Sequence, residues 1–432
     1  MAQQETLNIK TVWMEAAVIV VAVALAALGV RHVVAGETVN SRMATVWSLS
    51  KHGTWYIDRP IEESRNPFEA LTVDKVAVRG RLISSKPPMI PLIMTGEYLL
   101  LRGLFGWDLD NRDHLRSILQ VMNLTLVVFA YAIALIFFAK ILRLFIEDPW
   151  RRLFWVVMMA FGTQVFGYSS QLNNHVPAVG MLMPMLYYGI GLSSGKLTAK
   201  PWRFFMFGLC GALLFTFDLP ITIFVALTGL YLLYCHPRNT LVWTTLGVAG
   251  PLLVHFTIMT AVTGSPLPVQ LNKDCYLFES SLWRNPMGLD SLNEPKLLYL
   301  FHFTFGRHGV FLLFPILITG LLGGVLALLR HDVPGRGFVL GGAMGFLLIS
   351  LYYLLNTHGY GGEAYGFRWY IGVMPVLLLM GAWFHERVHR RWLWGVLFAL
   401  AVVSAYSAWE CHQNPWGADL EWTARLLFGP SH

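Results

Sequence analysis

The chain has 432 residues, of which 55% are hydrophobic, 14% aromatic and only 13% charged. Soluble domains carry about 25% charged residues, so an ordinary water-soluble globule is excluded, and repeated apolar runs of about 18 residues or more indicate a polytopic helical membrane protein. The net charge of +7 reads as the Lys/Arg excess of cytoplasmic loops, and with no basic groove or recognition motif, nucleic acid is not an expected partner.

The first apolar run, about Val12 to Val30, is too long for the hydrophobic core of a cleavable signal. It also lacks a small-x-small cut site before the polar stretch that follows. It is predicted to be an uncleaved first helix, residues 12–30, leaving the N-terminus cytoplasmic. An outer loop is predicted over 31–116. Its central stretch, Gly36 to Pro91, is dense in charge and interleaved with Trp47, Trp55, Tyr56 and Phe68, and is expected to cap one face of the bundle. Within this loop, Met89 to Phe105 is apolar but short and carries Glu97 and Arg102. It is read as an amphipathic juxtamembrane helix on the outer face rather than a span.

The remaining spans are predicted over 117–408. The second runs from about Ser117 to Phe138 and ends in a patch with Lys140, Arg143, Arg151 and Arg152. The third (Leu153 to Tyr168) leads out to SSQLNNHVP, and the fourth (Ala178 to Leu192) returns. The fifth and sixth flank Asp218-Leu219-Pro220, and the seventh (Leu241 to Val262) leads to a second outer loop, 264–308. Three more follow, then an eleventh (Trp392 to Ala408) and an outer polar tail, 409–432. The expectation is one integral membrane domain, an all-α polytopic bundle of about eleven transmembrane helices with juxtamembrane helices in its first outer loop. Four cysteines, Cys210, Cys235, Cys275 and Cys411, show no CxxC or Cys/His spacing. Cys275 and Cys411 both fall on the outer side, which leaves a disulfide between them open.

Polar groups that the helices do not need gather in the outer loops. The first loop offers Glu37, Asn40, Arg42, Asp58, Asp74, Arg79, Arg81 and Lys86. Later outer turns offer Asn174, His175, Asp218, His358, Glu363, Arg368 and Tyr370. Lys86 precedes Pro87-Pro88, which stiffen an extended approach to a helix start. A cation there suits a phosphate, or it snorkels at the interface. Arg368, beside Trp369 and Tyr370, either clamps a lipid phosphate or anchors an aromatic belt, and nearby glycines favour a close-approach loop. Asp218 fits a helix N-cap before Pro220, and an acid near a membrane also fits a functional site. Asn174 and His175 either cap the turn before Val176-Pro177 or contact a sugar or acceptor. Trp55 either stacks on a sugar or belongs to the belt.

A first helix, then a long outer loop, then SRMATVWSLSKHGTWYID, then SSKPPMIPL resembles the GT-C superfamily of polyprenyl-phosphate-sugar-dependent membrane glycosyltransferases. The likeness is to its ArnT and protein-mannosyltransferase branch, glycosyltransferase family 39. It covers about Val12 to Pro220, and GEAYGFRWYIGVMP more loosely. The resemblance implies a GT-C-like bundle that transfers sugar from a polyprenyl-phosphate donor, with inversion, to a lipid, glycan or protein acceptor at the outer face of a bacterial-type inner membrane. It also implies an acidic base just after the first helix. That place is held by Val39 or Asn40 here, so the nearest carboxylate, Glu37, is the expected base, with Asp74 or Asp58 as alternates.

In this scheme Lys86 and Arg368 hold the donor phosphate, with Arg79 and Arg81 as alternates, and Asn174, His175, Trp55 and Tyr370 contact sugar or acceptor. No cofactor and no metal are expected beyond the donor, because no outer loop shows a compact His/Asp/Glu cluster. The expected partners are membrane lipid, the lipid-linked sugar, an acceptor and possible companion proteins. The alternative is a non-catalytic lipid- or substrate-binding protein of the same fold, either a transporter or a complex subunit.

Overall fold

The computed structural model describes residues 2–34, 36–58, 65–284, 294–357, 359–417 and 421–428. His358, the middle of the second outer loop and parts of the 409–432 segment lie outside the described residues. Helix α1 (Ala2–Leu28) is followed by α2 (Glu37–His52), which begins after Gly36 and ends at a left-handed Gly53. Strands β1 (Lys75–Val78) and β2 (Arg81–Ser84) then form a two-stranded antiparallel hairpin. Next come α3 (Met89–Phe105) and α4 (Arg112–Phe145), the latter containing a π-helical stretch, Asn123–Val128.

Helix α5 (Pro149–Phe161) leads through a broken segment to α6 (His175–Ser193), α7 (Pro201–Phe217), α8 (Leu219–Cys235) and α9 (Pro237–Thr263). After the second outer loop come α10 (Lys296–Thr304), α11 (Pro315–Leu329), α12 (Arg336–Asn356), α13 (Met374–Arg387), α14 (Arg391–Gln413) and the short α15 (Trp422–Phe428).

By length and composition, six of these are fit to cross a membrane: α4, α6, α9, α12, α14 and the Ile9–Leu28 part of α1. Helices α7, α8 and α11 are apolar but shorter. The expected count of about eleven is not reached on this measure, and the reason is physical. Helices α5 and α13 have 13 and 14 residues, about 20 Å at ~1.5 Å per residue, against a hydrocarbon core of about 30 Å. The predicted third span, Leu153 to Tyr168, breaks at Gly162. The chain from Gly162 to Asn173 is then buried although mostly non-helical. Irregular backbone is tolerated at such depth only where protein encloses it.

Small residues let helices meet backbone to backbone. A Cβ on Gly208 would strike the Thr244 carbonyl, and one on Gly247 would strike the Phe205 carbonyl, so α7 and the start of α9 lie in direct contact. At one end of the bundle Glu15, 1% exposed, is held by Arg143 of α4 and Arg152 of α5. Charge inside a span is costly unless paired, and this pairing ties α1 to the two helices beside it. At the other end Arg31 donates to the carbonyls of His412 and Gln413, closing the exit of α1 against the exit of α14.

Helix α3 buries one apolar face and exposes another. Ile90, Met94, Tyr98 and Leu101 are buried, while Leu99, Leu100, Leu104 and Phe105 are exposed. The bundle is predominantly helical, as expected, and the hairpin is a small addition to it. The sequence KVAVRGRLIS carried its signal: apolar alternation around a two-residue Arg-Gly turn. Arg79 and Gly80 both have positive φ, +53° and +74°, the arrangement of a type I′ turn. All four cysteines are free, Cys411 deep against Gly167 and Cys275 against the hairpin, so the open disulfide is not formed.

Candidate functional site

The hairpin register pairs Lys75 with Ser84, and the Ser85 amide donates to the Asp74 carbonyl at 3.0 Å, extending the ladder by one step. This geometry closes a twelve-residue gap in sequence and sets the Lys86 ammonium 2.7 Å from the Asp74 carboxylate. Ser41 of α2 seals the junction, bonding the Asp74 carbonyl and the Ser84 hydroxyl, each at 2.6 Å. The hairpin's apolar face (Val76, Val78, Ile83) packs on Met259 and Val269, so β1 and β2 are pinned to the C-terminal end of α9.

Helix α2 is polar in composition, yet Thr38 to Ser48 are all buried. Arg42, at its centre, is 1% exposed. Its guanidinium donates to the Thr38 carbonyl at 3.1 Å and to Asn174 Oδ1 at 2.7 Å. Asn174 is available for this because its neighbour does the capping: Asn173 Oδ1 accepts from the Val176 amide at 2.8 Å. Asn174 Nδ2 reaches on to the Phe217 carbonyl at 3.2 Å. The next residue, Asp218, bonds His175 Nδ1 at 2.6 Å. Asp218 makes no side-chain cap bond to the helix that follows, so the N-cap reading gives way to the histidine pair.

Arg368 enters from the irregular segment between α12 and α13. It is half-buried, with its guanidinium 5.4 Å from the centre of the Trp416 ring. Arg42, Lys86 and Arg368 lie within one another's electrostatic field, and Asp74 acts on both Arg42 and Lys86. The fields of Arg42 and Arg368 also reach His175. Among the described residues, the groups named around this cluster are three cations and two carboxylates, Asp74 and Asp218, besides the histidine.

The electrostatic consequences have the same sense at both loop cations. Burial pulls Arg42 down to about 10, with Asp74 and Asp218 opposing the shift and Arg368 adding to it. Burial lowers Lys86 as well; Asp74 works against that and Arg368 and Arg42 with it. Two buried donor atoms, Arg42 Nε and Arg368 Nε, have no hydrogen-bond partner among the described residues. Buried donors are seldom left unpaired, and both belong to the cation cluster. An arrangement of this kind suits an anion.

An apolar cleft lies beside the cluster, lined by Trp55, Lys86, Pro88 and Pro91 on the loop side and by Ile258, Met259 and Val262 of α9. Lys86 and Trp55 are therefore at one site.

Other expected residues are placed elsewhere. Glu37 is exposed and its carboxylate accepts from the Val73 amide at 2.6 Å, serving the start of α2 rather than the cation cluster. Arg79 is exposed on the hairpin turn, its side chain lying against Gly264. Arg81 pairs with Asp58 and covers the Tyr56 ring at 4.8 Å. Tyr370 is fully buried, bonded to Ser350 and wedged among Phe303, Phe346 and Phe367, so it belongs to the core.

Arg42 and Asp218 were offered by the outer loops but given no role in the site from sequence, and Trp416 was not singled out. For Arg42 the signal was a helical stretch, SRMATVWSLS, too polar to face lipid. For Trp416 there was none.

No protein-family model matches the sequence, and no curated protein does. Among solved structures, the apo crystal structure of the Archaeoglobus fulgidus oligosaccharyltransferase is similar across 93% of this chain, with a TM-score of 0.48 and 11% identity. This chain spans 56% of that protein's length.

Proposed function

We propose that the protein is a membrane glycosyltransferase that binds a polyprenyl-phosphate-linked sugar at the outer end of its helical bundle. The observation that carries this reading is the gathering of Arg42 and Lys86 at Asp74, with Arg368 near both cations and a small apolar pocket beside Lys86. A lipid phosphate presents an anion, and the gathered cations offer its counterpart. The resemblance of SRMATVWSLSKHGTWYID and SSKPPMIPL to GT-C enzymes supports the same assignment.

In the proposed reaction an acceptor hydroxyl oxygen attacks the anomeric carbon from the face opposite the phosphate. The new carbon–oxygen bond forms as the bond to phosphate oxygen breaks, and the bonding pair leaves with the lipid phosphate. The configuration at the anomeric carbon inverts. The hydroxyl proton passes to a carboxylate within hydrogen-bond reach. Asp74 takes this role in preference to Glu37, because Asp74 is in the cluster and Glu37 is committed to Val73. Arg42, Lys86 and Arg368 take up the charge growing on the departing phosphate. Asn174, His175 and Trp55 contact sugar or acceptor, with Asp218 fixing the His175 ring.

A second reading, a lipid-phosphate-binding protein without transferase activity, is favoured by Val39 and Asn40 standing where the resembling enzymes carry an acid. One experiment separates the two. Lys86→Ala and Asp74→Asn are compared with wild type by mass spectrometry of lipid-linked sugars and surface glycans in a deletion strain. On the enzyme reading both variants let the lipid-linked donor accumulate while the protein remains folded. Normal glycans in the deletion strain itself would overturn transfer, and full function of Lys86→Ala would remove the phosphate assignment.

A further inference from the structure

The backbone that presents Arg368 is irregular, yet it is held at three consecutive amides by three residues from two parts of the chain. The Tyr365 amide donates to the Pro415 carbonyl at 3.0 Å, the Gly366 amide to Glu421 Oε1 at 2.6 Å, and the Phe367 amide to the His308 carbonyl at 3.2 Å. Two of these three anchors come from the segment after α14. The same Glu421 oxygen accepts from His308 Nδ1 at 2.9 Å, so the third anchor is coupled to the other two. Glu421 and His308 are 0% and 1% exposed. Gly366 holds φ +66°, and a Cβ there would strike the Gln164 side chain, so this bend is built for its place.

The same segment also meets the arginine directly. Trp416 lies beneath the Arg368 guanidinium and packs against Gly36, the residue from which α2 and hence Arg42 start. The Pro415 carbonyl also accepts from Tyr168 Oη at 2.6 Å, and Arg31 binds the Gln413 carbonyl. The described parts of the chain following α14, around Trp416 and at Glu421, therefore form a strap against the backbone that leads into Arg368 and against its guanidinium.

We propose that this strap sets the position of Arg368 for anion binding, with Glu421 and Trp416 as positioning residues. Neither is required to touch the ligand. A fully buried acid whose Oε1 takes one amide and one imidazole, and whose Oε2 has no partner among the described residues, is a costly way to hold a loop, and it is explained if the loop bears a cation whose placement matters. The inference rests on the phosphate-binding reading above and adds the residues that make the site competent.

The test uses the full chain in detergent micelles with farnesyl phosphate as probe, binding being read by calorimetry and folding by thermal unfolding. Arg368→Ala is expected to weaken binding about tenfold. Glu421→Ala is expected to weaken it by a similar factor, and Glu421→Gln, which keeps an acceptor for the Gly366 amide, to restore it. In the Arg368→Ala background, Glu421→Ala and Trp416→Leu should cost nothing further, because a positioning residue has nothing left to position.

If Arg368→Ala binds like wild type, the phosphate reading fails. If Arg368→Ala is weakened while Glu421→Ala or Trp416→Leu binds normally, the strap proposal fails and the phosphate reading stands. Equal losses in the presence and absence of Arg368 would also overturn the strap. Should Glu421→Ala fail to fold, Trp416→Leu alone decides the outcome.

Discussion

Lys86 and Asp74 are 2.7 Å apart because a ten-residue hairpin between them pairs Lys75 with Ser84. The pair is 17% and 12% exposed at the side chains, so it is neither a surface ion pair of small worth nor a fully sealed one. The carboxylate holds a cation whose own proton is weakened by burial, and it also acts on Arg42.

Asp74→Asn removes the proposed base while keeping the side chain's shape. It is expected to lower the rate of sugar transfer by about 10²–10⁴, the usual worth of a positioned acid or base. Glu37→Gln is expected to change the rate by less than about threefold, since the Val73 amide keeps an acceptor. Transfer from radiolabelled lipid-linked donor in membrane preparations measures both. The reverse ranking would return the base to Glu37.

Arg42 and Asn174 form one bonded unit, so their substitutions should not add. Arg42→Ala empties a buried cation site and strands Asn174 Oδ1; it is expected to cost about 3–5 kcal/mol. Asn174→Ala alone leaves a buried guanidinium short of one acceptor and is expected to cost about 1–3 kcal/mol. The double variant should resemble Arg42→Ala within about 0.5 kcal/mol. Denaturant unfolding of the four proteins in micelles gives the cycle, and simple additivity would count against the bond.

Lys86 should confer an early alkaline limb on donor use. Burial lowers its pKa below the ordinary lysine range, so it loses its proton at lower pH than a free lysine does. The protonated form binds phosphate, hence kcat/KM for the donor falls as pH rises through that lowered value. Lys86→Arg keeps the charge to higher pH, and the limb should move in the alkaline direction. An unmoved limb would assign it to another group.

Glu421 should make stability depend on pH in the opposite sense from a surface carboxylate. Burial raises its pKa, with the His308 hydrogen bond opposing. The folded state therefore holds the proton more tightly than the unfolded chain. Stability from this group is fully present below the unfolded glutamate value and is lost as pH rises through the raised folded value. Glu421→Gln removes that slope, so the Tm of wild type minus that of the variant should fall as pH climbs through this window. A flat difference would show that the carboxylate is already ionised there.

Arg79 tests the exclusion of the hairpin turn from the site. It holds φ +53° in a turn that prefers Asn or Gly. Arg79→Asn is expected to be neutral or to stabilise by up to about 1 kcal/mol, and to leave farnesyl phosphate affinity unchanged. Weakened binding would bring Arg79 back towards the anion.

The sequence by itself determined what periodicity and composition can encode. Long apolar runs demanded helices in lipid, the Lys/Arg-rich turns marked one end, and the polar stretch from Gly36 to Pro91 announced that the other end meets water. Lys86, Asp74, Arg368, Asn174, His175 and Trp55 were legible as candidates, because charged and amide side chains that no span needs stand out against an apolar background. Which of these meet was decided by the tertiary structure. Glu37 and Asp74 are both carboxylates of one loop, and only a hairpin register brings Asp74 to Lys86 while the start of α2 engages Glu37. Arg42 and Asn174 are far apart in the chain, as are His308 and Glu421, and no local pattern joins them. Tyr370 reads like an interfacial aromatic until packing buries its ring. Contacts across such sequence distances depend on how whole helices pack and where they break, and local propensity carries no record of that.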